Sequence, residues 1–581
     1  MHQVTARSVQ FDANFNRFGY SATLRTHGGT GQPHSSSVSV ASRETGQQTL
    51  DDFHALKFQG QAMKFWRKPI LRQYFHQGLI WRAEEEEQTA SYELFLDLVY
   101  VGIIAISGDN AAEEANGQAL LRFSITFIQG WKVWFDLVTL MNWFDQDDIW
   151  RRLYVLLQIA CLVGFTTNIS QFDSTTYTPL VSWYLVSRFA TALNFMWSAW
   201  IIPMVRSVMI VNALTVVIPC ALWIGSIHVE EPQRLALIWI AVVIEAFGFA
   251  ILMSLRQVAM NSTRFKERFQ QAFTFIPANN IEHRIDRTGA FVTLVLGYSV
   301  VSLLYSSSSH IGMNAFLGKA ILGLIQAFML NLLYFEVDSF NLHMHAIRRH
   351  TASALAWQTL HLPMILSFVL AGAALARIVL TDDVEDTSAE ALAEVSHLKS
   401  EEHMEEGLRW FYTAGLGIGM LCLNGIAHTH VYRNFGLAPG ARFPVLFKRP
   451  VRLAYRTLVA LALVFLGFAK SVNSLQLISI TCGLICSAGM VELVGNMITG
   501  CTKRLKRRNS DLSGSTVNSR GEHCPKIRLK DWWRAMKEES VGERKCHYRA
   551  RILEHRDPGT VVQRPTTVKV QEVDDEKSGS Q

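Results

Sequence analysis

The sequence predicts an all-α fold, a polytopic transmembrane helix bundle of about 12 helices with both termini cytosolic. Three observations predict it. The 581 residues are 49 % hydrophobic and 18 % charged, and their mean hydropathy is positive. The apolar mass is gathered into runs of roughly 18 to 25 residues between positions 93 and 500, each long enough to cross a ~30 Å hydrocarbon layer as a helix. Lys and Arg fall almost wholly in alternate connections between these runs, as they do in membrane proteins with a fixed orientation.

The chain divides into four parts. Residues 1–60 are rich in Gly, Ser, Thr and Gln and lack helical apolar periodicity, so a disordered cytosolic N-terminus is expected. Residues 61–92 form a juxtamembrane segment. From Lys57 to Arg82 the chain is basic and aromatic (KFWRKPILRQYFHQGLIWR). It suits either an amphipathic stretch lying on an anionic leaflet or an ordered soluble linker, with equal weight. Residues 93–500 form the membrane domain, and 501–581 a basic, disordered cytosolic tail. No apolar signal peptide precedes the first run, which must serve as its own signal.

The expected spans are 93–108, 120–143, 153–170, 180–202, 204–227, 235–255, 289–308, 314–336, 354–380, 408–427, 453–470 and 474–499. One set of loops carries Arg151 and Arg152, then Arg256, Arg264, Lys266, Arg268, Arg284 and Arg287, then Arg348 and Arg349, then Arg433, Arg442, Lys448, Arg449 and Arg452. The alternate loops are nearly empty of basic residues, and the acidic stretch 381–407 has only Lys399. Placing the basic set inside also puts the basic run Lys503 to Arg508 inside, where it would attract anionic lipid. The sequons at Asn168 and Asn261 then fall at a span end and inside, so neither is expected to be glycosylated.

Ionisable side chains in a span cost several kcal/mol unless they are paired or hydrated, so they are the first candidates for function. Glu93 and Asp97 stand four residues apart in YELFLDLVYVGIIAISGDN and share a helix face. Two close carboxylates could share a proton. Glu93 could equally be a helix N-terminal acid favoured by the dipole. Asp136 lies within the Trp-rich second run, and Asp145, Asp147, Asp148, Arg151 and Arg152 crowd its end, where a capped turn with local ion pairs is the plainer account. Arg188, Arg206, Glu245, Glu336 and Glu492 occupy span or span-end positions, with snorkelling the plainer reading for Arg206 and an interior partner for Glu245.

His343 and His345, and His428 and His430, form HxH pairs, which diverge on a helix and are poor ligand pairs unless the backbone is extended. No metal is expected there. Cys161, Cys220, Cys422, Cys482 and Cys486 sit in apolar runs and are read as reduced thiols. Cofactors are not expected, and no nucleophile motif, phosphate loop or HExxH pattern appears.

The segments Glu93-Leu94-Phe95-Leu96-Asp97-Leu98-Val99-Tyr100-Val101, then Trp131, Trp134, Asn142, Asp147, Asp148 and Arg151, then His283, Asp286, Arg287, Gly289 and Phe291, then Tyr334-Phe335-Glu336 and His361-Leu362-Pro363 resemble the motifs of the low temperature requirement A family of membrane proteins. The resemblance spans roughly residues 90 to 500. It implies a multi-pass topology and no settled biochemical activity. Two departures stand out: Asp286 replaces a Glu, and Tyr298 stands where the family has an intramembrane Glu.

The leading expectation is a channel or secondary transporter for an unknown small ion or solute. In it Glu93, Asp97, Asp286 and Glu336 line or gate a pathway, with His283 and His361 as proton partners and Asn142, Asp147, Asp148 and Arg287 completing the candidate residues. The alternatives are a membrane-embedded enzyme or accessory protein of a lipid or small-molecule pathway, which ranks lower for want of a catalytic motif, and a stress-linked scaffold without turnover. Nucleic acid is not an expected partner. The plasma membrane is the default location. Gly102, Gly248, Gly297 and the Gly415, Gly417, Gly419 run could loosen helices or let them pack closely, and close packing is favoured for the last three.

Overall fold

The computed structural model describes residues 25–27, 64–76, 79–82, 90–169, 176–261, 273–307, 313–339, 342–384, 403–432 and 447–496, all within one compact unit, Met1–Cys501. The expectations for the rest of 1–60 and for the tail, including Lys503 to Arg508, lie outside the described residues.

The unit is mostly helical. Its long helices are α1 (Ser91–Glu113), α2 (Gly117–Trp143), α3 (Ile149–Thr166), α4 (Tyr177–Ile201), α5 (Arg206–Ile227), α6 (Gln233–Asn261), α7 (Ile281–Ser307) and α8 (Ala315–Ser339). After the four-residue α9 (Ala346–Arg349) come α10 (Thr351–Leu380), α11 (Glu406–Thr429), α12 (Arg449–Phe465) and α13 (Ser474–Asn496). Each apolar run read from the sequence therefore holds one long helix. Among the described residues, nine helices are long and apolar enough to cross a membrane. The other three, α2, α4 and α6, carry Lys132 and Asp136, Arg188, and Glu245.

Polarity is arranged inside out relative to a water-soluble bundle. Arg188, Arg287 and Arg456 are fully enclosed, whereas Leu98, Leu193, Trp200, Ile218, Phe328 and Leu458 face outward. A contiguous apolar exterior of this extent suits hydrocarbon as the surrounding solvent. The chain is an integral, multi-pass membrane protein.

The central helix is α10, whose Val369, Ala374, Ile378 and Val379 are wholly buried. It packs on α11, α7 and α1, with further pairings α4 to α5, α5 to α6, α8 to α13 and α11 to α12. Close approach depends on glycine: a Cβ at Gly415 would lie 2.8 Å from the Ser367 carbonyl oxygen of α10, and one at Gly417 would lie 2.7 Å from the Ala460 carbonyl oxygen of α12. The GLGIG run thus lets α11 seat between two helices, the usual role of small residues in a membrane.

Short strands cover one end of the bundle. Strands β1 (Arg25–His27), β2 (Ile70–Leu71), β3 (Gln73–His76) and β4 (Leu79–Arg82) precede α1; β5 (Phe144–Asp145) follows α2 and β6 (Phe275–Pro277) precedes α7. The four-stranded order is β1-β4-β3-β6, all antiparallel, with Tyr74 opposite Trp81 and Pro277, while β2 pairs β5. The basic segment from Lys64 onward is therefore built into the mouth of the bundle. Its backbone accepts from Ile149 and Trp150 at the start of α3, and Arg72 N–H donates to the Trp143 carbonyl. The register matters for function, because Ala278 N–H donates to the Gln73 carbonyl and so fixes Asn279 and Asn280 where the chain enters α7. Strands β7 (Leu342–Met344) and β8 (Val431–Tyr432) pair separately.

Candidate functional site

Glu93 sits in the first turn of α1 and Asp97 one turn deeper; both are buried, as are Asn142 near the end of α2 and His283 and Arg287 in the opening turns of α7. The three helix ends meet here. Arg287 Nη2 donates to Asp97 Oδ1 at 2.8 Å and to the Glu93 carbonyl oxygen at 3.1 Å. Its Nη1 lies 2.7 Å from Asp97 Oδ2 and its Nε 3.5 Å from Glu93 Oε2, so one guanidinium bridges both carboxylates. Trp134 Nε1 donates to Asp97 Oδ1 at 2.9 Å. The rings of Trp134, Trp131 and Phe291 pack together beside this pair, which makes its surroundings apolar.

The hydrogen-bond network fixes the state of His283. Asn142 Oδ1 accepts from the Asn280 N–H at 2.8 Å, while its Nδ2 donates to the Asn280 carbonyl at 2.8 Å, so the orientation of the amide is determined. Asn142 Nδ2 also faces His283 Nδ1 at 3.2 Å, which must therefore be the accepting nitrogen. The proton then resides on Nε2, which donates to Glu93 Oε2 at 3.0 Å. With the imidazole in that tautomer the two carboxylates face one guanidinium within the cluster, and Arg72, paired with the exposed Asp145, also acts electrostatically on Glu93. Counted over Glu93, Asp97, Arg287 and His283 in this tautomer, the cluster has one negative charge left for a proton or a further cation to neutralise.

The other candidates read from the sequence are placed elsewhere. Asp148 is buried as the N-cap of α3, accepting from Arg151 N–H at 2.7 Å and Arg67 N–H at 2.6 Å, whereas Asp147 is exposed and pairs with Arg152 at 3.0 Å. Both belong to a capped turn. Asp286 is exposed on α7, outside the cluster. His361 is buried on α10 with Tyr334 Oη 3.0 Å from its Nε2, remote from Glu93 in its partners. The Glu336 side chain lies outside the described residues. Tyr298 donates to Asp109 Oδ1 at 2.9 Å, joining α7 to the far end of α1.

A second buried network was only partly visible in the sequence. Asp136 is held by Lys132 at 2.5 Å and Arg188 at 2.7 Å, and Arg188 Nε lies 3.7 Å from Glu245 Oε1. Tyr184 Oη donates to the other Glu245 oxygen at 2.6 Å. Glu245 and Arg188 thus meet as interior partners, while Arg206 is exposed and donates to the Ala199 carbonyl. Lys132 and Tyr184 were not singled out from the sequence, and Arg284, counted there with the basic loop residues, is buried in the first turn of α7. The signal available for the first was its i, i+4 spacing from Asp136 inside an apolar run. Glu492 is shared by Arg452 at 2.7 Å and Arg456 at 3.3 Å.

Among the described residues no group of three or more His, Cys, Asp or Glu could hold a metal ion. The extended backbone of β7 and β8 does bring His345 and His430 to 4.5 Å between ring centroids. Burial, with the neighbouring His430, His361 and Arg348, pushes the His345 imidazole down to about 3. The folded protein therefore rejects a proton that the unfolded chain accepts below pH ~6.5. The stability it contributes is complete above that value and falls as the pH drops toward 3, by at most ~1.4 kcal/mol per unit. His345→Asn, which keeps a capping acceptor, should flatten the acid side of a melting-temperature profile; an unchanged slope would refute the assignment.

The model of the family described as bacterial low temperature requirement A protein (LtrA) matches residues 88–491. Neither the curated proteins nor the solved structures provide a match. The match covers every element of the carboxylate cluster, and the chain belongs to the low temperature requirement A family of membrane proteins.

Proposed function

We propose that the protein is a proton-linked channel or secondary transporter in which the Glu93, Asp97, His283 and Arg287 cluster is the proton-binding site. The observation that carries this reading is the charge count: two enclosed carboxylates share one guanidinium and a neutral imidazole, so the site binds one proton to become neutral. A purely structural cluster would be expected to balance its charge, because an uncompensated charge away from water costs several kcal/mol. The site also lies where three helices end, next to the short strands, rather than at the middle of the bundle.

In this reading the chain has twelve spans, with both termini in the cytosol and the plasma membrane as its location. The basic loops then face inward, and the helix ends that hold the cluster lie on the cytosolic side. His283 holds Glu93 through its Nε2, and Arg287 bridges the two carboxylates, so that the pair acts as one proton-binding unit. Asn142 keeps the imidazole in the tautomer that donates to Glu93.

The test is proton flux into liposomes containing purified protein, driven by a pH gradient. Glu93→Gln with Asp97→Asn should reduce flux to that of empty liposomes at equal insertion. Equal flux in the double variant and the wild type would eliminate the proposal.

A further inference from the structure

The second network borders a cavity lined by α2, α5, α6 and α7, with Phe195 of α4 and Gln358 of α10. Its volume is about 50 Å³, enough for a few waters or one small solute. Lys132, Thr139, Asn212, Asn279, Arg284 and Gln358 supply its polar lining. Asp136 and Glu245 also border it, but their charges are engaged: Asp136 by Lys132 and Arg188, Glu245 by Arg188 and the Tyr184 hydroxyl.

Counting Lys132, Arg188 and Arg284 against Asp136 and Glu245 leaves one positive charge, and that charge belongs to Arg284. Its side chain is 4 % exposed. Nη1 donates to the Thr139 hydroxyl at 3.3 Å, and the guanidinium lies 4.1 Å from the centre of the Phe135 ring, contacts that bring no negative charge. Nε has no hydrogen-bond acceptor. The carboxylate that acts on Arg284 electrostatically is Asp136, which two other cations already hold. Arg284 also stands in the first turn of α7, whose N-terminal dipole end adds to the positive potential.

A buried guanidinium with an open edge, in a small polar cavity of net charge +1, calls for a single anion. We propose that this cavity binds a small monocarboxylate of acetate size. The open edge of Arg284 engages the carboxylate, and the Asn212 and Gln358 amides donate hydrogen bonds. The cavity wall includes Trp143 and Asn279, chain neighbours of the Asn142 and Asn280 that hold His283, so the carboxylate cluster, with the opposite unit charge on its own side chains, adjoins it. On the proton-transport reading, and on that reading alone, an anion here and a proton there neutralise both sites together, so the two would move as a pair.

Binding is measurable without flux. The purified full chain in lipid nanodiscs is titrated with acetate, and with acetamide as its neutral isostere, by calorimetry and by tryptophan fluorescence, to which Trp143 in the cavity wall contributes. Saturable binding of acetate but not acetamide is expected, weakened about tenfold or more by Arg284→Gln and retained by Arg284→Lys. No saturable acetate binding, equal binding of acetamide, displacement by chloride alone, or unchanged affinity in a folded Arg284→Gln protein would each overturn the proposal. If Arg284→Gln does not fold, the comparison of acetate with acetamide in the wild type decides the matter. A positive binding result with no proton flux would sink the transport reading and leave the anion site standing.

Discussion

Replacing Arg287 by Leu should remove most of the folded protein from the membrane, at a cost of about 3–5 kcal/mol, because it strands two enclosed carboxylates. Arg287 is the group that bridges Glu93 and Asp97, and at 1 % exposure neither water nor lipid headgroups can take its place. The charge argument makes a sharper statement about rescue. Combining Arg287→Leu with Glu93→Gln and Asp97→Asn removes all three charges at once, and the triple variant should recover much of the lost folding yield. Such recovery is the behaviour of a charge cluster exchanged for neutral groups. A triple variant as unstable as Arg287→Leu would show that packing of the arginine stem, rather than its charge, is what matters. Size-exclusion profiles and melting temperatures of the purified variants provide the comparison.

Arg188→Leu should have the second largest effect, about 3 kcal/mol. Arg188 is wholly enclosed and reaches two acids on different helices, Asp136 of α2 and Glu245 of α6. Its loss leaves Glu245 with only the Tyr184 hydroxyl. Arg188→Lys should recover only part of this, since an ammonium acts as one point charge where the guanidinium serves two carboxylates. Lys132→Met should be far milder: the Lys132 side chain is 18 % exposed, and Asp136 keeps Arg188 when it is lost. Equal effects of Lys132→Met and Arg188→Leu would contradict the view of Arg188 as the hub.

Much of this architecture could be read from the chain, because apolar length and basic loops are local properties. Every apolar run holds a long helix, and Glu93 and Asp97 share a face as their four-residue spacing requires. Their partners could not be found by spacing, since His283 and Arg287 are some 190 residues away. Those two were reached through the family resemblance alone. Position within a motif also misleads about direction: Asp286 precedes Arg287 but lies ~100° around the helix from it, and so is exposed while Arg287 is enclosed. In a helix buried on most sides, periodicity does not tell which polar residue faces which neighbour. The short strands from Ile70 to Arg82 and at Phe275–Pro277 escaped for another reason. Runs of two to four residues carry almost no period, and their pairing is settled by contacts with the ends of α2 and α7.

Tyr298 bears on how this chain differs from the family pattern. A tyrosine hydroxyl at that position donates to Asp109 and ties α7 to α1, where a carboxylate would face Asp109 with like charge. In this chain Tyr298 therefore serves as a cross-link between the two helices.

The central claim is that the carboxylate cluster takes up one proton, and counting protons tests it most directly. Purified protein in nanodiscs is acidified in unbuffered solution with a pH indicator, and its proton uptake is compared with that of the folded Glu93→Gln, Asp97→Asn variant. The account predicts that the wild type takes up one proton per chain more than the variant on going from neutral to mildly acidic pH. Identical uptake would show that the pair stays ionised beside Arg287 and that the cluster is a structural ion pair.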